Sequence, residues 1–385
     1  MGSLLKLWRG RVRFDRNELS GAFGDIGTDF PLIVSMILVS GLDAASVLIM
    51  FGVMLIATGL IYGLPMPVQP LKAMAVIVIT QKLSGNILYG SGLAIGITML
   101  LLALTGLIDW IARVVPKSVI RGIQFGLGLQ LASLALKDYM QSEGAAGFGL
   151  AVIAFVFTLS LLGNRRYPPA PLVILLGILY ALLFKVDMEA LLHGFGFRPP
   201  HLRAPSLEDV LTGFIVLAVP QIGLSIGNSI LATRQVIEDF FPDRPVSVRR
   251  ISLTYSLMNL CVPFFGGIPV CHGSGGLAGH YTFGARTGGS VVLYGSLYLF
   301  LGLFFGSGFR EVIQIFPQPV LGVILVFEGL ALMRLIQDVT HSKGNFTIAL
   351  MVGLIAVTLP YGYFIGLIIG TLLAYWVDHK LHGLT

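Results

Sequence analysis

Asp25 and Asp29 lie in a short segment, 23–31, where polar residues and glycines interrupt apolar sequence. Their i, i+4 spacing places both carboxylates on the same face of a helix. A carboxylate inside a membrane span is costly in free energy and usually faces the protein interior or a water-filled path. We therefore predict a role in ion transport for Asp25 and Asp29. The alternative is that one of them caps a helix break near Gly24 or Gly27.

A second segment of this kind, 66–75, contains Pro67 and Pro70. Prolines at these positions end an extended stretch and preset φ for the first turn of a helix. Near that turn, Gln69 can donate a hydrogen bond to an oxyanion, and Lys72 adds positive charge. The alternative role for Lys72 is an ion pair with one of the two carboxylates of the first segment.

The third segment, 269–289, is rich in glycine and is the most informative stretch of the chain. Glycines let backbone N–H groups approach a bound anion closely, and a serine adds a hydroxyl donor. The residues placed for this are Gly273, Ser274, Gly275 and Gly276. His272 can hydrogen-bond the anion, carry a proton or serve a structural role. Gly275 and Gly279 also have the spacing of closely packed membrane helices.

Further polar residues lie in other apolar runs. Gln221 and Ser225, with Asn228, occupy the first span of the second half. Glu328 is either an ion-coupling group or a hydrogen-bond donor in helix packing. The sequence has no cluster with metal-ligand spacing and no H-E-x-x-H, Walker A or G-x-S-x-G motif. We therefore expect no catalytic residues, no metal and no cofactor, and we do not expect an enzyme.

The composition indicates what kind of protein must position these residues. Of 385 residues, 55% are hydrophobic and 11% are charged, and the mean hydropathy is +0.87. Soluble domains have about 25% charged residues, so a water-soluble enzyme, a nucleic-acid-binding domain and a disordered protein are excluded. Cys261 and Cys271 lie in apolar sequence and indicate no disulfide framework. The first apolar stretch lacks a small-residue cleavage site, so we expect it to be retained. The chain is predicted to be a polytopic membrane protein, with the lipid bilayer as its surroundings.

Fourteen apolar runs are candidate membrane spans, because a spanning helix needs about 20 mostly apolar residues. They cover 18–40, 44–63, 68–82, 89–112, 115–136, 147–163, 169–187, 207–231, 250–265, 272–285, 289–306, 318–335, 346–359 and 361–377. A polar connection at 188–206 divides them into halves of seven, 1–187 and 207–385. Spans 3 and 10 are too short to cross alone, and each follows a segment broken by Pro or Gly. The fold is therefore predicted to be all-α with spans 3 and 10 broken.

Basic residues orient these spans, because cytoplasmic loops are enriched in Lys and Arg. The basic N-terminal group consists of Lys6, Arg9, Arg11, Arg13 and Arg16. With this group in the cytoplasm, 18 of the 25 basic residues fall on the cytoplasmic side. Both termini are predicted to be cytoplasmic, and the protein is expected in the plasma or inner membrane. The net charge of +6 is thus a topology signal and does not indicate a nucleic-acid partner.

An odd number of spans in each half implies that two homologous halves are inverted relative to each other. Segment 30–35 resembles 219–224, and 62–67 before span 3 resembles 264–269 before span 10. Two broken spans in equivalent positions would direct two helix N-termini at one site. Their unsatisfied N–H groups and positive dipole ends favour an anion there.

Three motifs resemble signatures of the molybdate-transporter family, a branch of the sulfate-permease superfamily. They are 23–28 (FGDIGT), 67–73 (PVQPLKA) and 271–286 (CHGSGGLAGHYTFGAR). The resemblance implies a fold of fourteen spans in two inverted repeats, shared with uracil permeases and anion exchangers. In that fold, spans 1–4 and 8–11 form a core domain, and spans 5–7 and 12–14 form a gate domain. Only 378–385 follow span 14, so no C-terminal STAS domain is expected.

The resemblance also implies a tetrahedral oxyanion bound between spans 3 and 10, with help from spans 1 and 8. The residues expected to bind it are Thr28, Gln69, Lys72, Gln221, Ser225, His272, Gly273, Ser274, Gly275 and Gly276. The candidates for proton coupling are Asp25, Asp29 and Glu328. Asp29 lies where many relatives are expected to have an apolar or aromatic residue, so the number of titrating groups stays open.

Together these features predict a secondary active transporter that takes up molybdate with protons by an elevator-like movement. Sulfate and tungstate are also tetrahedral dianions, and the sequence does not distinguish them from molybdate. The alternatives are a sulfate transporter, a nucleobase or carboxylate permease on the same fold, and an anion channel, which needs no coupling acid. The oligomeric state is also open, with a homodimer as the candidate.

Overall fold

The computed structural model describes residues 11–162, 164, 167 and 169–382, and these are mostly helical. Of the basic residues used to orient the spans, Lys6, Arg9, Arg165 and Arg166 lie outside this part of the chain. The helices of the first half are α1 Arg16–Ala22, α2 Ile26–Ser40, α3 Ala44–Tyr62, α4 Lys72–Gln81, α5 Gly85–Leu104, α6 Leu107–Val114, α7 Lys117–Leu134 with a π turn Ala135–Tyr139, α8 Gly144–Leu161, α9 Pro169–Phe184 and α10 Met188–His193.

The second half begins with one long helix. Its helices are α11 Leu207–Phe240, α12 Val248–Cys261 with a 3₁₀ turn Val262–Phe265, α13 Ser274–Thr282, α14 Gly289–Phe305, α15 Phe309–Ile315, α16 Gln318–Arg334 with a 3₁₀ turn Leu335–Val339, α17 Lys343–Thr358 and α18 Gly362–His382. Within α11, the segments Phe214–Ala218 and Ser225–Ala232 are π-helical. Such wide turns are frequent at functional sites, and α11 carries the polar residues predicted for span 8.

Several of these helices are suited to a membrane. By length and composition, six described helices can cross a bilayer, and the bent pair α1 and α2 makes a seventh. Shorter apolar helices are Pro169–Phe184, Gly289–Phe305, Lys343–Thr358 and Gly362–Val377. The prediction of a helical protein with several apolar spans is therefore confirmed.

Helices α4 and α13 begin inside the protein. They have ten and nine residues, so each is about 14–15 Å long, half of the roughly 30 Å hydrocarbon core. Each follows one strand of a two-stranded antiparallel ladder, β1 Gln69–Pro70 and β2 Val270–Cys271. In this ladder, Gln69 pairs with Cys271 and Pro70 pairs with Val270. The two broken segments, 200 residues apart in the chain, thus meet directly.

The first span is also broken. Helices α1 and α2 meet at an angle of 40° across residues 23–25. Asp25 stands at the N-cap position of α2, but its side chain makes no capping hydrogen bond. The proposed alternative, in which Asp25 acts as a cap, therefore lacks its defining contact.

Glycines allow long helices from the two halves to pack closely. A Cβ on Gly52 of α3 would lie 2.6 Å from the backbone oxygen of Gly295 in α14, and a Cβ on Gly295 would lie 2.7 Å from the Gly52 oxygen. Helix α5 packs against α12 in a similar way, with Gly96 facing Asn259. Small residues let helix backbones approach closely in membranes, where apolar burial adds little driving force between helices.

Candidate functional site

The centre of the site is Asp25, which is fully buried. The Gln69 side-chain amide donates to Asp25 Oδ1 at 2.6 Å, while Asp25 Oδ2 has no hydrogen-bond partner among the described residues. That free oxygen lies against Gly276, because a methyl group at this glycine would overlap it. The carboxylate of the first motif is thus directly beside the first turn of α13.

A second carboxylate reaches the same turn from α16. The Thr28 hydroxyl donates to Glu328 Oε2 at 2.7 Å, and Glu328 Oε1 has no partner within the described ranges. A Cβ on Gly275 would lie 2.5 Å from Glu328 Oε1. Asp29 is fully buried as well, and no N–H or hydroxyl group of the described residues donates to its carboxylate. Glycines 275 and 276 therefore make room for two acids.

Lys72 is the first residue of α4. Its ammonium group is buried and has no hydrogen-bond partner in the described chain, and it is in no ion pair within 4.0 Å there. The alternative ion pair with Asp25 or Asp29 is therefore absent at contact distance in this structure. Because charges interact strongly in a low-dielectric interior, Lys72 still offsets part of the charge of the acids nearby.

The N-terminus of α4 is covered by a side chain of α11. The backbone N–H groups of Ala73 and Met74 donate to Gln221 Oε1 at 2.9 and 3.3 Å. Gln221 Nε2 donates to Ser225 Oγ at 3.1 Å, and this hydroxyl is 2.8 Å from the Tyr255 hydroxyl. The sequence placed Gln221 and Ser225 at the site, but it did not indicate Tyr255.

The N-terminus of α13 meets α11 through Ser274. The Ser274 hydroxyl donates to Asn228 Oδ1 at 2.6 Å, and both residues are buried. Gly273 precedes this turn and faces Gln69 Oε1, an oxygen that accepts no hydrogen bond from the described residues. One long helix therefore touches the starts of both short helices.

His272 connects the two broken segments to their surroundings. One ring nitrogen, Nδ1, is 2.9 Å from the Pro67 oxygen, and the other, Nε2, is 2.7 Å from the Thr254 hydroxyl. Both nitrogens already have partners, so the contacts favour the structural role for His272 over direct anion binding.

A cavity of about 480 Å³ lies beside this site. Its walls come from α4, α7 and α11 and from the connection between α17 and α18. Lys72 and Ala73 line it at the N-terminus of α4, and Leu127, Gln130 and Tyr361 line other parts. The cavity thus reaches the first turn of α4.

Comparison with known proteins decides the family. A family model described as molybdate transporter of MFS superfamily matches residues 17–131 and 213–332. Molybdate transporter 2 of Arabidopsis thaliana is 34% identical over 376 residues, covering 86% of this chain and 81% of the relative. The chain belongs to the molybdate-transporter family. The resemblance predicted from the three motifs is confirmed, and the family is one of membrane transporters, not enzymes.

The fold of this family member is found in solved structures. SLC26A9 matches with a TM-score of 0.60 at 13% identity, over 94% of this chain and 65% of that one. The chain thus spans about two thirds of the length of SLC26A9. The transmembrane domain of BicA, a bicarbonate transporter of a cyanobacterium, matches with a TM-score of 0.55 at 15% identity, over 94% of this chain and 98% of that one. At these identities the likeness shows a shared fold.

One ionic cluster in this family member was missed by the sequence analysis. Arg121 in α7 is 1% exposed and binds Asp239, near the end of α11, through two hydrogen bonds of 2.7 and 2.8 Å. It also binds Asp338, after α16, which in turn pairs with Lys117 at 2.7 Å. Arg121 is one of the 18 basic residues that the topology prediction places on the cytoplasmic side. Its partners are more than 100 residues away, so no local pattern pointed to them.

No group of three or more His, Cys, Asp or Glu residues is arranged to hold a metal ion in the part of the chain that the structure describes. Of the buried acids, Asp25 faces Gly276 of α13, and Glu328 faces Gly275.

Proposed function

We propose that this protein is a secondary active transporter of a tetrahedral oxyanion, with molybdate as the substrate. Membership of the molybdate-transporter family and 34% identity to a relative named molybdate transporter 2 support this choice. Solved structures of the same fold include SLC26A9 and a bicarbonate transporter, BicA.

The observation that carries the proposal is the meeting of two helix N-termini. Helices α4 and α13 start directly after paired strands β1 and β2, and the cavity reaches the start of α4. Helix N-termini offer free N–H groups and a positive dipole end to an anion, and Lys72 adds a full charge. The residues proposed to form the substrate site are Thr28, Gln69, Lys72, Ser225, Gly273, Ser274, Gly275 and Gly276, with Gln221 covering the Ala73 and Met74 N–H groups of the same site. His272 is proposed to support this site by holding the segment before α4.

The finer architecture is also a proposal: fourteen spans in inverted repeats, at 1–187 and 207–385, joined by 188–206. An inverted repeat makes the pair α3–α14 equivalent to the pair α12–α5, and both pairs pack closely through glycines. Both termini are proposed to be cytoplasmic, in the plasma membrane, and a homodimer is the proposed assembly.

Transport is proposed to move the core domain, spans 1–4 and 8–11, as an elevator against the gate domain, spans 5–7 and 12–14. In this division, the Arg121–Asp239 pair joins the gate to the core. The pair lies at the N-terminal end of α7, whereas the cavity reaches Gln130 nearer its C-terminal end. Nine residues separate the two positions, which is about 13 Å along the helix. The cavity lies towards one end of α7 and the ion pair towards the other, and we propose that this arrangement corresponds to an outward-facing state.

Uptake is proposed to be coupled to protons carried by Asp25, with Asp29 or Glu328. A dianion that enters against 100 mV costs about 4.6 kcal/mol, which would hold the inside concentration more than a thousandfold below the outside. Two accompanying protons remove that electrical cost. The free oxygens of Asp25, Asp29 and Glu328 are acceptors for such protons.

Binding to the purified protein tests the substrate. We expect molybdate to bind, tungstate and sulfate to compete, and uracil not to compete. Lys72→Gln should weaken molybdate binding at least about tenfold, since it removes a charge-assisted contact. Lys82→Gln is the matched control, because Lys82 is exposed just after the same helix. Equal affinities in the two variants would place the anion elsewhere, and binding of uracil instead of oxyanions would overturn the proposed substrate class.

Uptake into liposomes tests the coupling. Molybdate should accumulate when the outside is more acidic, and Asp25→Asn should abolish accumulation while binding persists. Asp243→Asn, at an exposed position, should behave as the wild type. A flux that ignores the pH gradient and never exceeds equilibration would instead indicate a channel.

A further inference from the structure

A side-chain oxygen of the protein itself is the acceptor at the start of α4. Ala73 and Met74 belong to the first turn, whose N–H groups have no acceptor within their own helix. Both donate to Gln221 Oε1, at 2.9 and 3.3 Å. These are the donors that an oxyanion at this helix would need. The protein's own amide oxygen therefore occupies one position of the anion site.

Gln221 is held so that it can take this place. It is 1% exposed, and its Nε2 is fixed by Ser225, which in turn contacts the Tyr255 hydroxyl. Two residues near Gln221 on α11 line the cavity, as does Ala73. They are the preceding residue, Pro220, and Leu224, which lies about one turn later. A ligand in the cavity therefore lies beside Ala73 and beside two residues that flank Gln221 on α11.

We infer that Gln221 is a displaceable stand-in for the substrate, which satisfies the Ala73 and Met74 N–H groups when the site is empty and yields them to an oxyanion. This inference rests on the proposed function and specifies which contact a ligand must replace at that site. Hydrogen bonds to a charged acceptor are roughly twice as strong as those between neutral groups. An oxyanion therefore gains by replacing the amide oxygen, whereas a neutral carbonyl ligand would only exchange one neutral acceptor for another. Gln221 is thus an internal competitor that every ligand of these N–H groups must displace, and a charged acceptor repays that cost more fully than a neutral one.

Two substitutions separate displacement from direct binding. Gln221→Leu has a similar volume but no acceptor, so the N–H groups stay free for substrate. Molybdate affinity should then rise by about two- to tenfold, the range that the net value of one hydrogen bond covers. Gln221→Glu places a carboxylate on the same donors, so molybdate affinity should fall more than about tenfold. That loss should diminish as the pH is lowered and the new acid becomes neutral.

The measurement is a molybdate titration of the full-length protein in detergent at several pH values, with uracil titrated in parallel. Gln81→Leu is the matched control, because Gln81 is the exposed last residue of the same helix. Uracil affinity should rise in Gln221→Leu relative to its value in the wild type. If Gln221→Leu does not fold, the unbranched Gln221→Met replaces it.

The outcomes are distinct. Weaker molybdate binding in Gln221→Leu with a folded protein would show that Gln221 contacts the substrate directly, and it would overturn the inference. Unchanged affinity in both Gln221→Leu and Gln221→Glu would overturn it as well. If the wild type itself binds no oxyanion, the proposed function is refuted, and the inference about Gln221 is refuted with it.

Discussion

Replacing Arg121 with Gln should change which face of the transporter is open. Arg121 is almost fully buried, while the side chains of its partners Asp239 and Asp338 are 18% and 35% exposed. Removing one partner of a fully buried ion pair costs about 3–5 kcal/mol. The expected loss is about 3 kcal/mol, at the lower end of that range. Water can reach both acids, and Asp338 keeps its ion pair with Lys117.

This loss matters for transport only if the cluster is intact in the state seen here and broken in the other. In that case, about 3 kcal/mol changes the ratio of the two states by roughly 100-fold, since 1.4 kcal/mol is a factor of ten. The state with an open cavity should therefore become the minor one in Arg121→Gln. Lys117→Gln is the matched control, because its pair with Asp338 is more exposed and should contribute less than about 1 kcal/mol.

Thiol labelling measures the open population. A cysteine at Leu359, an exposed residue of the cavity wall, is introduced with Cys261→Ser to remove the exposed native thiol. A membrane-impermeant maleimide should label it quickly in the wild-type background and much more slowly with Arg121→Gln. A lowered melting temperature of Arg121→Gln would show that the ion-pair cluster is broken. If this variant is nevertheless labelled at the wild-type rate, the link between the cluster and the opening of the cavity is refuted.

Two further predictions concern the first turn of α13 and the residues just before it. Gly276→Ala should reduce molybdate binding more than about tenfold, because its methyl group would overlap the Asp25 carboxylate. The control Gly149→Ala should leave binding unchanged, since no described atom lies within 4 Å of the added Cβ. Equal molybdate affinities in the two variants would contradict the placement of Asp25. His272→Leu should lower the free energy of unfolding by about 1–3 kcal/mol, because it leaves the buried Pro67 carbonyl without its contact to the imidazole. If the folded His272→Leu protein also loses molybdate binding far beyond this effect, a direct role for the imidazole must replace the structural one.

The sequence by itself determined the class of the protein and the location of its site. Hydropathy over 385 residues is sufficient to indicate a membrane protein, because the bilayer imposes the same requirement on every span. Prolines and glycines at 65–70 and 266–269 marked the breaks, since backbone freedom is a local property of these residues. Motif resemblance identified the family, which the comparisons confirm.

Only the tertiary structure decided which polar groups meet. The pairing of Gln69 with Cys271, the cover that Gln221 forms over α4, and the ion pairs of Arg121 each join residues more than 100 positions apart. The type of a residue determines which hydrogen bonds and ion pairs it can form, but the packing of the helices determines its partner. For this reason Lys72 could be predicted as a buried charge, but the sequence could not show that it has no ion pair with any described residue. For the same reason His272 could be predicted as a candidate for anion binding, but in the structure its two ring nitrogens contact Pro67 and Thr254.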